Sequence, residues 1–189
     1  MNLLKTDIEG VFIVEPRVFE DGRGYFFESY SAKTFAEALA DAGFRGNAPV
    51  FVQDNESRSS YGVVRGLHFQ TPPHAQAKLV RCVVGRVLDV AVDIRQGSPT
   101  YGKWVAVELS GDNHRQLFLP KGFAHGFSVL SETALFQYKC DELYHPESEG
   151  GIDMRSLPID WRIDPEKAVM SPKDLRHPSF NDFVSPFTY

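Results

Sequence analysis

Short segments in which apolar and polar residues alternate, separated by glycine-rich turns, constrain the fold of this chain more than any other feature. In the segment VLDVAVDIR (87–95), one face carries Asp89 and Asp93, and the other carries Leu88, Val90, Val92 and Ile94. Alternation of this kind is typical of a β-strand, whose successive side chains point to opposite faces. Similar segments occupy residues 26–31, 50–55, 63–70, 78–85, 104–110 and 134–140. About ten such strands joined by short turns predict an all-β chain, built as a double-sheet jelly roll or barrel.

One early segment has helical periodicity instead. Apolar side chains recur at helical spacing between Ser31, a suitable N-cap, and Gly43, a residue that commonly ends helices, so we expect a helix over 31–43. After Glu149 the chain is rich in proline, and we expect short helical turns and loops packed on the barrel. There is no internal repeat and no linker, and 189 residues suit one domain. We therefore expect a single domain spanning residues 1–189.

The charge balance and the cysteines exclude several functional classes. With 20 Lys and Arg against 25 Asp and Glu, the net charge is −5, so general binding of nucleic acid is not expected. No stretch approaches the ~20 apolar residues of a membrane span. Acidic residues interrupt the N-terminal segment where a signal peptide needs its apolar core, so a cytoplasmic location is expected. Cys82 and Cys140 lie in apolar segments and are expected to be buried thiols.

Three polar side chains interrupt the strand pattern. Lys78 shares a side with the apolar residues of its strand, and Tyr138 lies beside Phe136. Alternation also places His68 on the side opposite Arg65. Each has an ordinary explanation: a hydrogen-bonded core histidine, a packed tyrosine, or a lysine whose ammonium reaches the barrel mouth. Their occurrence together on strands of one small barrel favours a ligand site at its mouth, lined by groups that move protons.

A metal centre is one alternative for the histidines. The segment PKGFAHGF (120–127) adds His125. However, jelly-roll metal sites resemble His-x-His followed by Glu, and Gln70 stands where the second histidine after His68 is needed. No bound metal is therefore expected.

Several cations and amides are candidates for holding an anion. Each alone is typical of a solvated surface, whereas together they suit a phosphate, because Arg forks match its oxygens and Lys adds a point charge. These candidates are Arg23, Gln53, Asp54, Asn55, Arg65 and Lys173.

Longer motifs run through almost the whole chain. They are FEDGRGYFFES (19–29), QDNES (53–57), RGLHFQ (65–70), KLVRCVVGRVLDVAVDIR (78–95), PKGFAHGF (120–127), YKC (138–140), ESEGGI (147–152) and SPKD (171–174). In this order they resemble the dTDP-4-dehydrorhamnose 3,5-epimerases, a metal-free cupin family. The resemblance implies a cupin double-stranded β-helix without a cofactor. It also implies a homodimer in which the N-terminal strands reach across to the partner.

The reaction implied by the resemblance inverts C3 and C5 of the hexose in dTDP-4-dehydro-6-deoxy-α-D-glucose, the third step of dTDP-L-rhamnose synthesis. His68 in RGLH is the implied base, Asp174 in SPKD its partner, and Tyr138 before KC the implied acid. Lys78, if it points inward, is suited to stabilise the enolate oxygen. The implied substrate-contacting residues are Arg23, Glu28, Gln53, Asp54, Asn55, Arg65, Lys78, His125, Glu149 and Lys173.

Other functions fit part of the same sequence. A mono-epimerase acting only at C3 or only at C5 would share nearly all of these residues. A cupin that merely binds a nucleotide sugar has no need for a histidine, a tyrosine and an inward lysine together. A metal-dependent cupin oxygenase or isomerase is disfavoured by the missing second histidine.

Overall fold

The computed structural model describes residues 1–189 and consists of β-strands joined by short turns, with one α-helix. None of the helices has the length and apolarity needed to cross a bilayer. The helix α1 covers Ala32–Asp41, and short 3-10 turns cover Pro146–Ser148, Met154–Ser156, Pro165–Lys167 and Asp174–Arg176. The strands are β1 (Asn2–Lys5), β2 (Phe12–Glu15), β3 (Phe19–Asp21), β4 (Gly24–Phe26), β5 (Gln53–Ser60), β6 (Val64–Gln70), β7 (Lys78–Val84), β8 (Arg86–Asp93), β9 (Arg95–Gln96), β10 (Trp104–Ser110), β11 (Gln116–Leu119), β12 (Phe123–Val129), β13 (Thr133–Cys140), β14 (Glu149–Gly151) and β15 (Phe187–Thr188).

Two antiparallel sheets form the jelly roll. One has six strands in the order β1-β2-β11-β7-β13-β5, and the other has five in the order β10-β8-β12-β6-β14. The inner core between them mixes both sheets: Val80 and Phe136 come from the first, Ala91 and Phe127 from the second. This architecture confirms the predicted all-β cupin fold.

Strand β8 is buried on both faces. Its face carrying Val90 packs against C-terminal residues that include Met154 and Trp161. Asp89 and Asp93 lie on the other face with no exposed area. Because the C-terminal segment covers the outside of this sheet, the polar face of β8 lies inside the molecule, where each carboxylate needs a polar partner.

The helix forms where the sequence predicts it. The Ser31 hydroxyl accepts a hydrogen bond from the Thr34 amide at the helix start, and Phe35 packs edge-on against Phe118 of β11. Gly43, just after the helix, has the positive φ of +77° that glycine accommodates without strain.

Two predicted strands next to this helix are largely wrong. The strand expected at 26–31 is absent beyond its first residue, and the strand expected at 50–55 begins only at Gln53. Tyr30 and Phe51 pack against each other with ring centroids 5.4 Å apart. Tyr30 and Phe51 alternate with polar neighbours because they pack under α1, and not because their segments pair with a neighbouring strand.

Candidate active site

The histidine of β6 is hydrogen-bonded to a buried carboxylate. His68 Nε2 lies 2.7 Å from Asp174 Oδ1, and Asp174 is only 3% exposed. Since a carboxylate only accepts hydrogen bonds, Nε2 carries the proton and the lone pair is on Nδ1. Burial alone raises the pKa of Asp174, but the hydrogen bond and charge of His68 outweigh it, so the pKa lies below its ordinary value. Asp174 is therefore held as a carboxylate.

A register shift between β6 and β12 brings Arg65 to the same face as His68. His68 lies opposite His125 and Arg65 lies opposite Phe127, with the irregularity between these two pairs. Directly opposed residues share a face of a sheet, and His125 and Phe127 are both inward residues of β12. The simple alternation that separates Arg65 from His68 is therefore wrong. At the mouth, the Arg65 Nε donates a hydrogen bond to the Ser59 hydroxyl at 3.1 Å.

Two glycines permit this close approach of β6 and β12. Gly66 has φ +132°, and a Cβ on it would lie 2.5 Å from the Cα of Gly126. A side chain at this point would push apart the strands that carry His68 and His125. Glycine is required here by both the backbone angle and the available space.

Lys78 and Tyr138 project into the barrel from the facing sheet. The Lys78 ammonium lies 5.6 Å from the centroid of the Tyr138 ring, and Tyr138 packs against the inner core. Burial raises the pKa of the Tyr138 phenol, although the charge of Arg65 opposes this. Burial lowers the pKa of Lys78, against the opposing charges of neighbouring acidic groups such as Asp89. The phenol therefore keeps its proton, and a poorly solvated amine stands beside it.

Glu149 connects the C-terminal segment to the barrel mouth. It forms an ion pair with Lys173 and accepts a hydrogen bond from the Tyr144 hydroxyl at 2.7 Å. Burial alone raises the pKa of Glu149, but these two hydrogen bonds lower it below the ordinary value. Lys173 and Glu149 therefore lie together beside His68, and Tyr144 is a member of this group that the sequence analysis missed.

His125 belongs to a second buried histidine–carboxylate pair. Its Nε2 lies 2.9 Å from Asp89 Oδ2, and the residue is 8% exposed. The sequence did not lead us to Asp89 as the partner of His125. The signal was its charge within the most apolar strand, which indicates a buried polar contact.

The run Gln53-Asp54-Asn55 is divided by the alternation of β5. Gln53 Nε2 donates to Asn55 Oδ1 at 3.0 Å, and Asn55 lies opposite Tyr138 on the inner face. Asp54 faces the other way and accepts a hydrogen bond from Lys139 at 2.8 Å. Gln53 and Asn55 therefore line the interior, and Asp54, expected among the substrate contacts, does not join them within one protomer.

The remaining predicted residues lie outside the barrel of their own chain. Arg23 is at the tip of the β3–β4 hairpin, with its side chain 91% exposed and paired only with Asp21. Glu28 follows the hairpin and is also exposed. Neither contacts His68 or Tyr138 within the protomer.

A wide cleft elsewhere on the molecule does not coincide with these residues. It has a volume of about 1120 Å³ and lies between the N-terminal segment and the end of α1, where Lys5, Phe44 and Tyr189 are among its lining residues. None of the predicted site residues line it. The chemistry of the side chains, and not the size of a cleft, identifies the barrel interior as the candidate site.

Comparison with known proteins leads to one family. The model of the dTDP-4-dehydrorhamnose 3,5-epimerase family matches residues 5–182. The dTDP-4-dehydrorhamnose 3,5-epimerase of Shigella flexneri is 52% identical over 184 residues, which cover 96% of this chain and 97% of that protein.

Comparison with solved structures leads to the same family. The crystal structure of dTDP-4-dehydrorhamnose 3,5-epimerase from Elizabethkingia anophelis superimposes with a TM-score of 0.89 at 53% identity, covering 96% of this chain and 97% of that one. The dTDP-6-deoxy-D-glucose-3,5-epimerase of Legionella pneumophila, solved in complex with dTDP-4-keto-L-rhamnose, has a TM-score of 0.89 at 50% identity, covering 97% of this chain and 94% of that one. With its jelly roll, its inward histidine, tyrosine and lysine, and this similarity over nearly its whole length, the chain belongs to the dTDP-4-dehydrorhamnose 3,5-epimerase family.

Proposed function

We propose that this epimerase inverts C3 and C5 of the hexose in dTDP-4-dehydro-6-deoxy-α-D-glucose and gives dTDP-4-dehydro-β-L-rhamnose, the third step of dTDP-L-rhamnose biosynthesis. Family membership supports the reaction class. The observation that carries the residue assignment is the His68–Asp174 hydrogen bond, on an interior shared with Lys78 and Tyr138. This arrangement offers a base, an acid and a cation around one ligand.

His68 is the proposed base. The C4 ketone acidifies the hydrogens on C3 and C5, and removal of either proton leaves an enolate with its charge on the C4 oxygen. Because Nε2 is bonded to Asp174, Nδ1 takes the proton. The Asp174 carboxylate then stabilises the imidazolium and fixes the orientation of its ring.

Tyr138 is the proposed acid on the opposite face of the hexose. The phenol and the His68 imidazole project from facing sheets into one interior, so a pyranose ring bound between them meets the base on one face and the acid on the other. Burial raises the pKa of Tyr138, so the phenol holds its proton until it delivers it to carbon. Removal from one face and return from the other inverts the carbon.

Lys78 is the proposed stabiliser of the enolate oxygen. A donor aimed at a developing oxyanion inside a water-poor site contributes about 3–4 kcal/mol to lowering the barrier. The Lys78 ammonium lies 5.6 Å from the centroid of the Tyr138 ring, so both groups face the same part of the cavity. The ketone of the substrate itself supplies the activation, so the proposed mechanism requires no cofactor.

The nucleotide is proposed to lie at the barrel mouth. Arg65 and Lys173 supply cations for the diphosphate, with Gln53 and Asn55 as amide partners. His125 and Glu149 complete the contacts to the sugar.

A homodimer is part of the proposal. On the β3–β4 hairpin, Phe19, Tyr25 and Phe26 are 51%, 54% and 71% exposed, and contiguous apolar surface of this kind is typical of a protein contact. The hairpin of a partner would bring Arg23 and Glu28 to the nucleotide. Sedimentation equilibrium is expected to give twice the chain mass, and a monomer at assay concentration would contradict this part of the proposal.

A cytoplasmic location is also proposed. Cys82 and Cys140 are free thiols, and persistent free thiols suit a reducing compartment.

Proton NMR of the 4-keto sugar nucleotide with the protein in D₂O tests the function. Deuterium at both C3 and C5, with inverted product, is expected. Label at only one carbon would indicate a mono-epimerase, and no label would indicate a protein that only binds the nucleotide sugar. Activity is expected to survive prolonged treatment with a chelator, whereas loss restored by added metal would indicate a metal-dependent cupin.

A further inference from the structure

One buried imidazole nitrogen next to the His68–Asp174 pair has no hydrogen-bond partner. Nε2 of His177 is inaccessible to solvent and unpaired, and it lies 3.8 Å from Asp174 Oδ1, the same oxygen that His68 contacts. The rings of His68 and His177 meet edge-to-face with centroids 5.7 Å apart. Buried polar atoms are nearly always paired, so an unpaired one calls for an explanation.

The fold makes room for this ring. A Cβ on Gly151 would lie 2.4 Å from His177 Nε2, and Gly151 lies opposite His68 in the pairing of β14 with β6. Only a residue without a side chain at 151 therefore lets the His177 ring reach the His68–Asp174 pair.

The geometry points to a metal-binding site formed by His68, Asp174 and His177, which takes a borderline divalent ion such as Zn²⁺ or Co²⁺. Two imidazoles and one carboxylate are the donor set that such ions prefer. The three ligand atoms all lie within 4.8 Å of one another. This site is distinct from the His-x-His pattern of jelly-roll metal sites, because two of its ligands come from the C-terminal segment.

The distances fit an ion after small movements. Metal–ligand bonds of about 2.0–2.1 Å in a tetrahedral site place neighbouring ligand atoms about 3.3 Å apart. The observed separations from Asp174 Oδ1 are 2.7 Å to His68 Nε2 and 3.8 Å to His177 Nε2, on either side of that value. The ion thus replaces the proton that His68 shares with Asp174, and this proton moves to Nδ1, because a neutral imidazole that binds a metal through one nitrogen keeps its proton on the other.

A second cluster of similar composition is less suited to an ion. His74, Glu142 and His145 also have ligand atoms within 4.8 Å of one another. However, the rings of His74 and His145 are stacked, with centroids 3.5 Å apart and an angle of 11° between their planes. The in-plane lone pairs of stacked rings run parallel and do not converge on one ion, so this cluster provides the control.

The consequence for catalysis rests on the proposed role of His68. With an ion on Nε2, the ring carries its proton on Nδ1, the nitrogen that must accept the substrate proton, so the loaded protein is expected to lose epimerase activity. Binding and inhibition are separate readouts: an ion that binds at this site without inhibiting would support the site and contradict the role of His68 as the base.

Titration with Co²⁺ alone, followed by its visible absorption, tests the site on the full-length protein. The wild type is expected to bind one Co²⁺ per chain. His177→Leu is expected to bind at least about tenfold more weakly, the loss seen even when a supporting group of a metal ligand is removed. His145→Ala is expected to bind as the wild type does.

Three results would overturn the site: equal Co²⁺ affinity in His177→Leu, loss of binding in His145→Ala but not in His177→Leu, or no visible spectrum with the wild type at millimolar Co²⁺. Epimerase activity of metal-free His177→Leu reports whether that variant is folded. If it is not, the smaller His177→Asn serves in its place, and the one-to-one Co²⁺ stoichiometry of the wild type stands as an independent measurement.

Discussion

Replacement of Asp174 by asparagine tests whether Asp174 orients His68 and stabilises its charged form without contributing to substrate binding. Asp174 contacts His68 and not the proposed sugar position, so Asp174→Asn is expected to lower kcat and leave KM nearly unchanged. Two unit charges about 4 Å apart at an effective dielectric of ~20 attract by about 4 kcal/mol. The His68 side chain is 31% exposed, so solvent screening places the useful stabilisation of the imidazolium between about 2 kcal/mol and this upper limit of about 4 kcal/mol. This range corresponds to a loss of about 30- to 1000-fold in kcat.

The assay is steady-state epimerisation of the 4-keto sugar nucleotide, with isotope exchange at C3 and C5 measured in parallel. Both exchange rates are expected to fall by the same factor, because one base serves both carbons. Asp164→Asn is the matched control, since Asp164 caps a 3-10 turn in the same C-terminal segment and contacts none of the proposed site residues. The reasoning is refuted if Asp174→Asn retains the wild-type kcat, or if its loss of activity lies entirely in KM.

Three further predictions concern stability as well as activity. Lys78→Met is expected to lower kcat by about 10²–10³-fold and to raise the unfolding temperature in calorimetry, because a poorly solvated ammonium, whose pKa is lowered by desolvation, is removed; a less stable variant would contradict this. The folded-state pKa of Asp174 lies below the unfolded value of about 3.9, so its stabilisation is present above that pH and is lost as the pH falls through the folded value. The unfolding temperatures of wild type and Asp174→Asn are therefore expected to converge on acidification, and a constant difference would oppose the reasoning. Gly66→Ala is expected to destabilise the protein in denaturant titrations by about 1–3 kcal/mol or more, since alanine adopts the φ of +132° only with strain; wild-type stability would show that β6 and β12 can separate there.

The strands of the two sheets were predictable because alternation directly reports a half-buried strand. The segments at 78–85, 104–110 and 134–140 form strands close to the expected bounds. The segment 26–31 fails because Tyr30 packs against Phe35 of α1 while Phe26 is exposed, and tertiary contacts of that kind leave no distinct periodicity. The single-domain organisation over 1–189 stays a prediction.

The candidate site was predictable only in part. Alternation placed Lys78 and Tyr138 inward, but a register shift between β6 and β12 that no local pattern reports brought Arg65 to the side of His68. Asp174 is 106 positions from His68, and its pairing followed from the family resemblance and not from the residues themselves. His177 had no sequence signal at all, because its position depends on the space that a distant glycine leaves.

The central claim is that an imidazole and a phenol act from opposite sides of one sugar ring. It is tested most directly by incubating the 4-keto sugar nucleotide in D₂O with His68→Ala and, separately, with Tyr138→Phe. We predict that His68→Ala incorporates no deuterium at C3 or C5, whereas Tyr138→Phe still exchanges these hydrogens and returns substrate of unchanged configuration. Full deuterium incorporation by His68→Ala, or inverted product from Tyr138→Phe at the wild-type rate, would contradict the assignment.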